Sequence, residues 1–540
     1  MLTLSVAGRR VRDFLYGRAQ SVIPVLYRLY KHCSQKDTTM KPSKTLTIAY
    51  RRPPLSIRWL LLPTLALLVN LTAFAPSCTQ VHADGHELRT MSPLRISANR
   101  RFLVTEVGRP FFWLGDTAWR LSVLAPDEVD AYMANRARHA FNVIQVHPGF
   151  EHPDFAGNRP FLGDDPGRPN EAFWRHIDGI LDKARVHGIY VALVPMWGQE
   201  YAKAFKSDAE KARAFGWWIG MRYKNQSHVV WIVSGEYAGI NNFRLPVSAE
   251  QKAVLNAAAE GLRDGHGGTQ LMTIHPGGSQ SSSRDFHDAA WLDFNMLQSG
   301  HFIDSSAYKA PENHELISHD YALTPIKPAL DGEPIYEDTP DGVWLVKNTD
   351  GPRAGAAAVR RKAYWAVFAG ACGHTYGHND VYSFCDPAHP QRSSRLPQGP
   401  GRHDWRTAID AEGATQMKYL RFLIESRPFL NRIPDPSLVV VAPTGGLDQV
   451  VATRADDGSY GMIYSPRGKP LTVALDRLSG DRLTIWWYNP RNGSAETDGD
   501  CDQHGERVFR PPTRGDGQDW VLVLDDAEKR YVSTGKNRGS

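Results

Sequence analysis

Two glutamates stand where a pair of carboxyl groups could work on one bond. Glu236 closes the stretch His228-Val-Val-Trp-Ile-Val-Ser-Gly-Glu236, and Glu333 closes Pro328-Ala-Leu-Asp-Gly-Glu333. Residues 229–233 are apolar and β-rich with no alternation, as expected of a short strand covered on both faces. A glycine precedes each Glu, so each carboxylate is expected at the C-terminal mouth of a buried strand. A lone Glu in such a place reads more simply as a solvated loop residue. Two of them, each after a buried strand, fit one shared cleft. Cleavage of a glycosidic bond needs that layout: one carboxyl group protonates the leaving oxygen, while the other attacks the anomeric carbon or activates water.

Other polar and aromatic residues gather at the same expected strand ends. Asp116 and Trp119 follow the first strand and are candidate sugar contacts; loop capping and core packing are their plainer readings. Trp197 and Tyr376 could stack on a sugar ring. His147, His275, His301 and His374 each follow a strand, and four imidazoles facing one cleft fit hydrogen bonding to hydroxyls better than four unrelated core histidines. Glu337 rivals Glu333 but lies farther from the strand end. Asp331 alternates with Glu333 and reads as support for it or as part of the barrel layer. A catalytic metal built from His374, His378, Cys372 and Cys385 is a poorer reading, because Gly373 and Gly377 oppose a helix presenting both histidines. No phosphate-cradling glycine loop or serine-hydrolase elbow is present in the sequence. No metal or cofactor is expected.

The elements that must hold these residues recur as strand, polar mouth, helix. Strands are expected near residues 111–114, 142–146, 190–195, 229–233, 270–274, 293–298, 328–333 and 370–376. Helices are expected near 126–139, 170–187, 208–223, 248–264, 311–319, 353–368 and 411–426. About eight such units in residues 93–430 predict a closed (β/α)8 barrel of the TIM type, whose active site lies at the C-terminal strand ends. Beyond Leu438 the texture changes to short strands separated by Gly, Asp and Pro, which predicts a small all-β sandwich over 435–530. The proline-bearing stretch 427–436 is the expected hinge.

Charge is unevenly placed. Residues 1–60 hold 12 Lys/Arg and 2 Asp/Glu, a net of +10, which leaves the rest at −5 against a whole-chain +5. The body therefore lacks the basic face that nucleic-acid binding needs. Behind Arg51, Arg52 and Arg58 runs an apolar segment, 59–75, which reads as an export signal within a basic leader over 1–83. Cleavage near residues 75–83, a lipid on Cys78 and an uncleaved membrane anchor are the three fates; Pro76 fits the second poorly, and Pro63 and Asn70 oppose the third. Each puts the body outside the cytoplasm: periplasmic, extracellular or on the outer surface. Of the 5 Cys, Cys372 and Cys385 are close enough in sequence to close a loop by a disulfide in such a compartment.

The residues Phe112-Trp-Leu-Gly-Asp-Thr-Ala-Trp119, Val229-Val-Trp-Ile-Val-Ser-Gly-Glu236, Leu330-Asp-Gly-Glu-Pro-Ile-Tyr-Glu337 and Gly373-His-Thr-Tyr-Gly-His378 resemble the apiosidase-like glycoside hydrolase family. The tail, with Trp487-Tyr-Asn-Pro-Arg-Asn-Gly493 and Phe509-Arg-Pro-Pro512, is similar to the β-sandwich often fused to it and labelled collagen-binding. The resemblance covers residues 93–526. It implies a clan A barrel with a retaining layout, Glu236 as acid/base after the fourth strand and Glu333 as nucleophile after the seventh. One departure stands out: the family pattern has Asp in Gly-Gly-Asp, where this chain has Ser234-Gly-Glu236. The extra methylene bears on the substrate more than on the reaction type. The expectation is an exported glycoside hydrolase acting on plant or microbial poly- or oligosaccharide. The rivals are a non-catalytic carbohydrate- or matrix-binding protein on a barrel scaffold, suggested by the tail, and a metal-dependent barrel hydrolase.

Overall fold

A computed structural model describes residues 91–149, 152–238, 247–343, 349–390, 402–443 and 445–534. The leader lies outside the described residues. Eight parallel strands carry the body: β1 Trp113–Thr117, β2 Val143–Val146, β3 Tyr190–Leu193, β4 Val229–Ile232, β5 Met272–Thr273, β6 Asn295–Gln298, β7 Ala329–Asp331 and β8 Gly373–Tyr376. They are hydrogen-bonded in the order 5-4-3-2-1-8-7-6, and a two-residue antiparallel strand, Gln280–Ser281, flanks β6. Every residue of the eight is buried, as continuous apolar runs between two layers require. The circle closes at the β5–β6 seam, where the Asp293 amide donates to Met272 O at 2.9 Å and Thr273 Oγ1 donates to Phe294 O at 2.7 Å.

Seven helices cover the strands: α1 Pro126–Arg138, α2 Glu171–Val186, α3 Ala209–Tyr223, α4 Ala249–His266, α5 Asn313–Ala322, α6 Ala356–Phe368 and α7 Glu412–Glu425. Between β5 and β6 the chain forms only a four-residue helix, Ser283–Phe286. Local chemistry sets the boundaries. Ser248 and Gln251 form a reciprocal capping box at the start of α4, and Gly267 ends that helix at φ +70. α3 and α4, which flank β4 in sequence, touch backbone to backbone. A Cβ on Gly216 would lie 2.1 Å from Ala258 O, and one on Gly261 would lie 2.1 Å from Arg213 O.

A three-stranded antiparallel sheet precedes the barrel: Leu94–Ile96, Leu103–Thr105 and Pro110–Phe111. It lies across the N-terminal ends of β3 to β5. Arg95 donates to Thr269 O at 2.6 Å, and at the residues just ahead of it Tyr190 donates to Ser92 O and Ser227 to Met91 O, each at 2.6 Å. Beyond the barrel come a six-stranded and a three-stranded antiparallel sheet, which enclose a core of Leu438, Ile463, Leu483, Ile485, Trp487 and Leu522.

Barrel and tail lie within one compact unit, Thr79–Ser540. The expected hinge at 427–436 is corrected: Arg427 and Arg432 are each 2% exposed, and residues 432–434 form a strand of the six-stranded sheet. Both guanidiniums are held, Arg427 by Asp525 at 2.6 Å and Arg432 by the carbonyls of Val367 and Ala371. The disulfide expectation is also corrected, since Cys372, Cys385 and Cys501 are buried thiols that form no disulfide with one another. Cys372 precedes β8 and Cys385 follows it by nine residues, so the strand holds them at opposite ends. Burial pushes the Cys372 thiol up to about 12.

Candidate active site

β4 delivers Glu236 through a tight exit. The Gly235 amide donates to Met196 O at 3.0 Å, and the Gly198 amide donates to Gly235 O at 2.8 Å. Only glycine fits there, because a Cβ on Gly235 would stand 2.1 Å from the Trp197 ring. Glu236 then takes φ +38, a left-handed conformation that costs a non-glycine residue energy and recurs at functional positions. The residue as a whole is half-buried, and its carboxyl group is held at both oxygens. Trp197 Nε1 donates to Oε2 at 3.4 Å, and Gln298 Nε2, from the end of β6, donates to Oε1 at 3.2 Å.

β7 delivers Glu333 in the same way. The Gly332 amide donates to Leu297 O at 2.8 Å, and its carbonyl accepts from Gln145 Nε2 at 2.7 Å. A Cβ on Gly332 would lie 2.7 Å from the Met296 sulfur. Glu333 is 5% exposed and sits between two imidazoles: His275 Nε2 is 3.0 Å from Oε2, and His301 Nε2 is 3.2 Å from Oε1. Tyr336 packs edge-on to the His301 ring at 4.6 Å, and its hydroxyl accepts from Trp119 Nε1 at 3.0 Å.

The two environments push the carboxyl groups apart. Burial alone would raise Glu333, but the hydrogen bonds and positive charge of His275 and His301 outweigh it and hold the group well below the usual carboxylate range. Glu236 goes the other way. Burial raises it, the Glu333 charge raises it further, and His275, Gln298 and Trp197 only partly offset this. One carboxyl group pushed towards the ionised form beside one pushed towards the protonated form is the division of labour that acid-assisted nucleophilic attack requires.

Around the pair stands a box of rings. Trp197 lies 5.1 Å from Trp119, 5.2 Å from His147 and 5.8 Å from His275, and Trp119 lies 5.7 Å from His275. His147 Nε2 is 2.9 Å from Glu200 Oε2, a carboxylate on the short helix Gly198–Phe205. Of the residues singled out from sequence, the fold thus brings together Trp119, His147, Trp197, Glu236, His275, His301 and Glu333.

Asp116, His374 and Tyr376 go elsewhere, for one geometric reason. β1 extends to Thr117 and β8 spans Gly373–Tyr376, so these three lie within strands rather than beyond them. Gly373 and Thr375 turn inward, Thr375 Oγ1 accepting from Trp113 Nε1 at 3.1 Å, and alternation turns His374 and Tyr376 outward, towards the helices. Asp116, directly beside Tyr376 in the ladder, is fully buried against Tyr132 and Arg136 of α1. His374 is 1% exposed, and burial pulls it down to about 3. Tyr376 donates to Glu337 Oε2 at 2.6 Å, and Glu337 also accepts from the Gly413 amide of α7 at 3.0 Å. Glu337 therefore anchors a helix instead of facing the cleft. Asp331 likewise points away, accepting from Ser299 Oγ at 2.8 Å and from Asn313 Nδ2 of α5 at 3.0 Å.

Sequence reasoning missed Gln298, Tyr336 and Glu200. Gln298 is the last residue of β6, so the signal that found the glutamates also marked its place. Among the described residues, the metal-capable grouping is Asp338, Asp380 and His403, in which Asp338 already pairs with Arg353 and Arg402.

The comparisons with known proteins bear on the family and the fold. No curated protein matches the chain. A glycoside hydrolase family 5 crystal structure from Bacteroides vulgatus is 33% identical, covering 82% of this chain and 95% of that one at a TM-score of 0.74. A second solved structure, named glycoside hydrolase, is 32% identical, covering 82% of this chain and 98% of that one at 0.73. Residues 433–525 match the family described as "Putative collagen-binding domain of a collagenase". Residues 97–431 match the one described as "Apiosidase-like, catalytic domain". The chain belongs to the apiosidase-like family of glycoside hydrolases.

Proposed function

We propose that the protein is an exported, retaining glycosidase acting on plant or microbial poly- or oligosaccharides, with Glu333 as nucleophile and Glu236 as acid/base. The observation that carries the assignment is the placement of the two carboxyl groups, Glu333 between the imidazoles of His275 and His301, which favour its ionised form, and Glu236 at the exit of β4, where burial and the Glu333 charge favour its protonated one. In the first step a Glu333 oxygen bonds to the anomeric carbon as the glycosidic C–O bond breaks, and the Glu236 proton passes to the leaving oxygen. In the second, water attacks the same carbon, Glu236 takes its proton and the ester to Glu333 breaks. Trp119, His147 and Trp197 line the sugar site, and His275 and His301 hold Glu333 in place.

The test is product release from a panel of plant oligosaccharides that includes rhamnogalacturonan fragments, with the first-formed anomer read by NMR. Cleavage with retained configuration is expected, and Glu333→Gln is expected to lower it on the order of 10⁴-fold while leaving the melting temperature within a few degrees. Inverted product, or undiminished hydrolysis by the variant, overturns the assignment. Export is supported by the basic leader and the apolar segment at 59–75. Intact mass of the protein recovered outside the cytoplasm checks it, a mass matching loss of the leader, with or without a lipid on Cys78, being the expected result.

A further inference from the structure

Gln298 holds a position that one kind of side chain suits best. Its Nε2 donates to Glu236 Oε1, while its own Oε1 is buried with no hydrogen-bond partner among the described residues. Among the described residues the other hydrogen bond to the Glu236 carboxyl group comes from Trp197 Nε1, which can only donate. Two donors on two oxygens suit a carboxylate. They do not suit a carboxylic acid, whose O–H needs an acceptor. Glu236 must nevertheless alternate between these states, as acid in one step and base in the next. A primary amide meets both needs from one place: rotating it by half a turn about its last bond exchanges Nε2–H for Oε1 at the same distance. The carbonyl end leaves no partner behind when it turns.

We propose that Gln298 is a positioning residue that follows the proton on Glu236, donating Nε2–H to the carboxylate and turning its Oε1 to accept from the acid. The inference rests on the acid/base role assigned to Glu236. Lys or Arg at this place could serve only the ionised form, Glu would add charge, and Met would serve neither form. The contact joins β6 to the exit of β4, so the amide also keeps Glu236 from swinging out of the cleft.

The experiment uses the full chain labelled with 13C at Glu carboxyl carbons and 15N at Gln side chains. The Glu236 signal is identified by its loss in Glu236→Gln, and the Gln298 amide by its loss in Gln298→Met. In the unmodified protein the Gln298 amide resonances are expected to shift with pH at the same midpoint as the Glu236 carboxyl carbon; in Glu236→Gln that shift is expected to vanish. Gln298→Met, similar in length, is expected to lower kcat roughly ten- to a hundred-fold, with KM changed less than about threefold. Gln298→His, which can donate or accept, is expected to recover part of that loss. A Gln298 amide indifferent to Glu236 titration overturns the proposal, as does a folded Gln298→Met protein with unchanged kcat and pH profile. Because the NMR titration needs no substrate, it separates failure of this inference from failure to hydrolyse any glycan.

Discussion

At the scale of single residues, the site turns on what surrounds two chemically similar side chains. In the proposed mechanism Glu333 must be ionised to attack and Glu236 must carry a proton to assist departure. A bell-shaped dependence of kcat/KM on pH is therefore expected. Its acidic limb belongs to Glu333 and lies below the ordinary carboxylate range; its alkaline limb belongs to Glu236 and lies above the ordinary glutamate value. Activity should fall as pH rises through the Glu236 value, and Glu236→Gln should abolish that limb. Gly235 supplies a second test. Gly235→Ala drives a methyl group into the Trp197 indole, so kcat should drop by at least tenfold while the rest of the barrel stays folded, as checked by kinetics and thermal melting. Both glutamates were legible in the sequence because a buried apolar run, a glycine and a carboxylate follow each other without a gap. Asp116 was misread because β1 runs three residues past the apolar stretch at 111–114, and His374 and Tyr376 because β8, Gly-His-Thr-Tyr, has no apolar run to mark where the strand stops. A polar residue inside a strand looks, in sequence, like one just past its end.

Elements raise a different question, namely what keeps eight strand ends aimed at one point. Here polar groups outside the barrel matter as much as the apolar layers. Asp331, the last residue of β7, is buried, and burial raises its pKa to about 6 despite the hydrogen bonds from Asn313 and Ser299. Its folded value exceeds the unfolded value of about 3.9. Its contribution to stability is thus fully present below that pH and is lost as pH rises through 6, amounting to as much as about 3 kcal/mol. Asp331→Asn removes this titration, so the stability of the variant relative to the unmodified protein should improve between pH 4 and 7, as urea unfolding at the two pH values measures. The helix pattern was readable from caps and periodicity. The backbone contact between α3 and α4 was not, because Gly216, Gly220, Gly261 and Gly265 read singly as weak points in a helix, and only their pairing across space gives them a purpose.

For the molecule as a whole, the tail is fastened to the barrel by buried charge. Arg360 of α6 meets Asp519 at 2.7 Å, both 2% exposed, and Arg427 meets Asp525 at 2.6 Å. Breaking one partner of a pair so deeply buried leaves the other charge uncompensated, at a cost of about 3–5 kcal/mol. Arg360→Leu should therefore lower the melting temperature by several degrees or more, and barrel and sandwich should melt in a single calorimetric transition. Two separate transitions in the unmodified protein would show that the sheets behave as an independent module. The first strand of the tail, at residues 432–434, comes before the change in texture at Leu438, and the prolines there suggested slack where the chain is tightly held. Buried arginines give no local signal in a sequence, since Arg is ordinarily a surface residue.

The wall of the barrel is not equally strong all round. At the β5–β6 seam one backbone bond and two side-chain bonds, from Thr273 Oγ1 to Phe294 O and from the Met272 amide to Asp293 Oδ2, stand in for a strand ladder, and only a four-residue helix lies between the two strands. Slow breathing of the fold would begin there, with the amides of Met272 and Asp293 exchanging their hydrogens ahead of those in β2 and β3. His275 follows one lip of that gap and Gln298 ends the other. Each time the gap opened, both acids would lose a neighbour together, so the rate at which this wall flexes also sets how long the cleft stays armed.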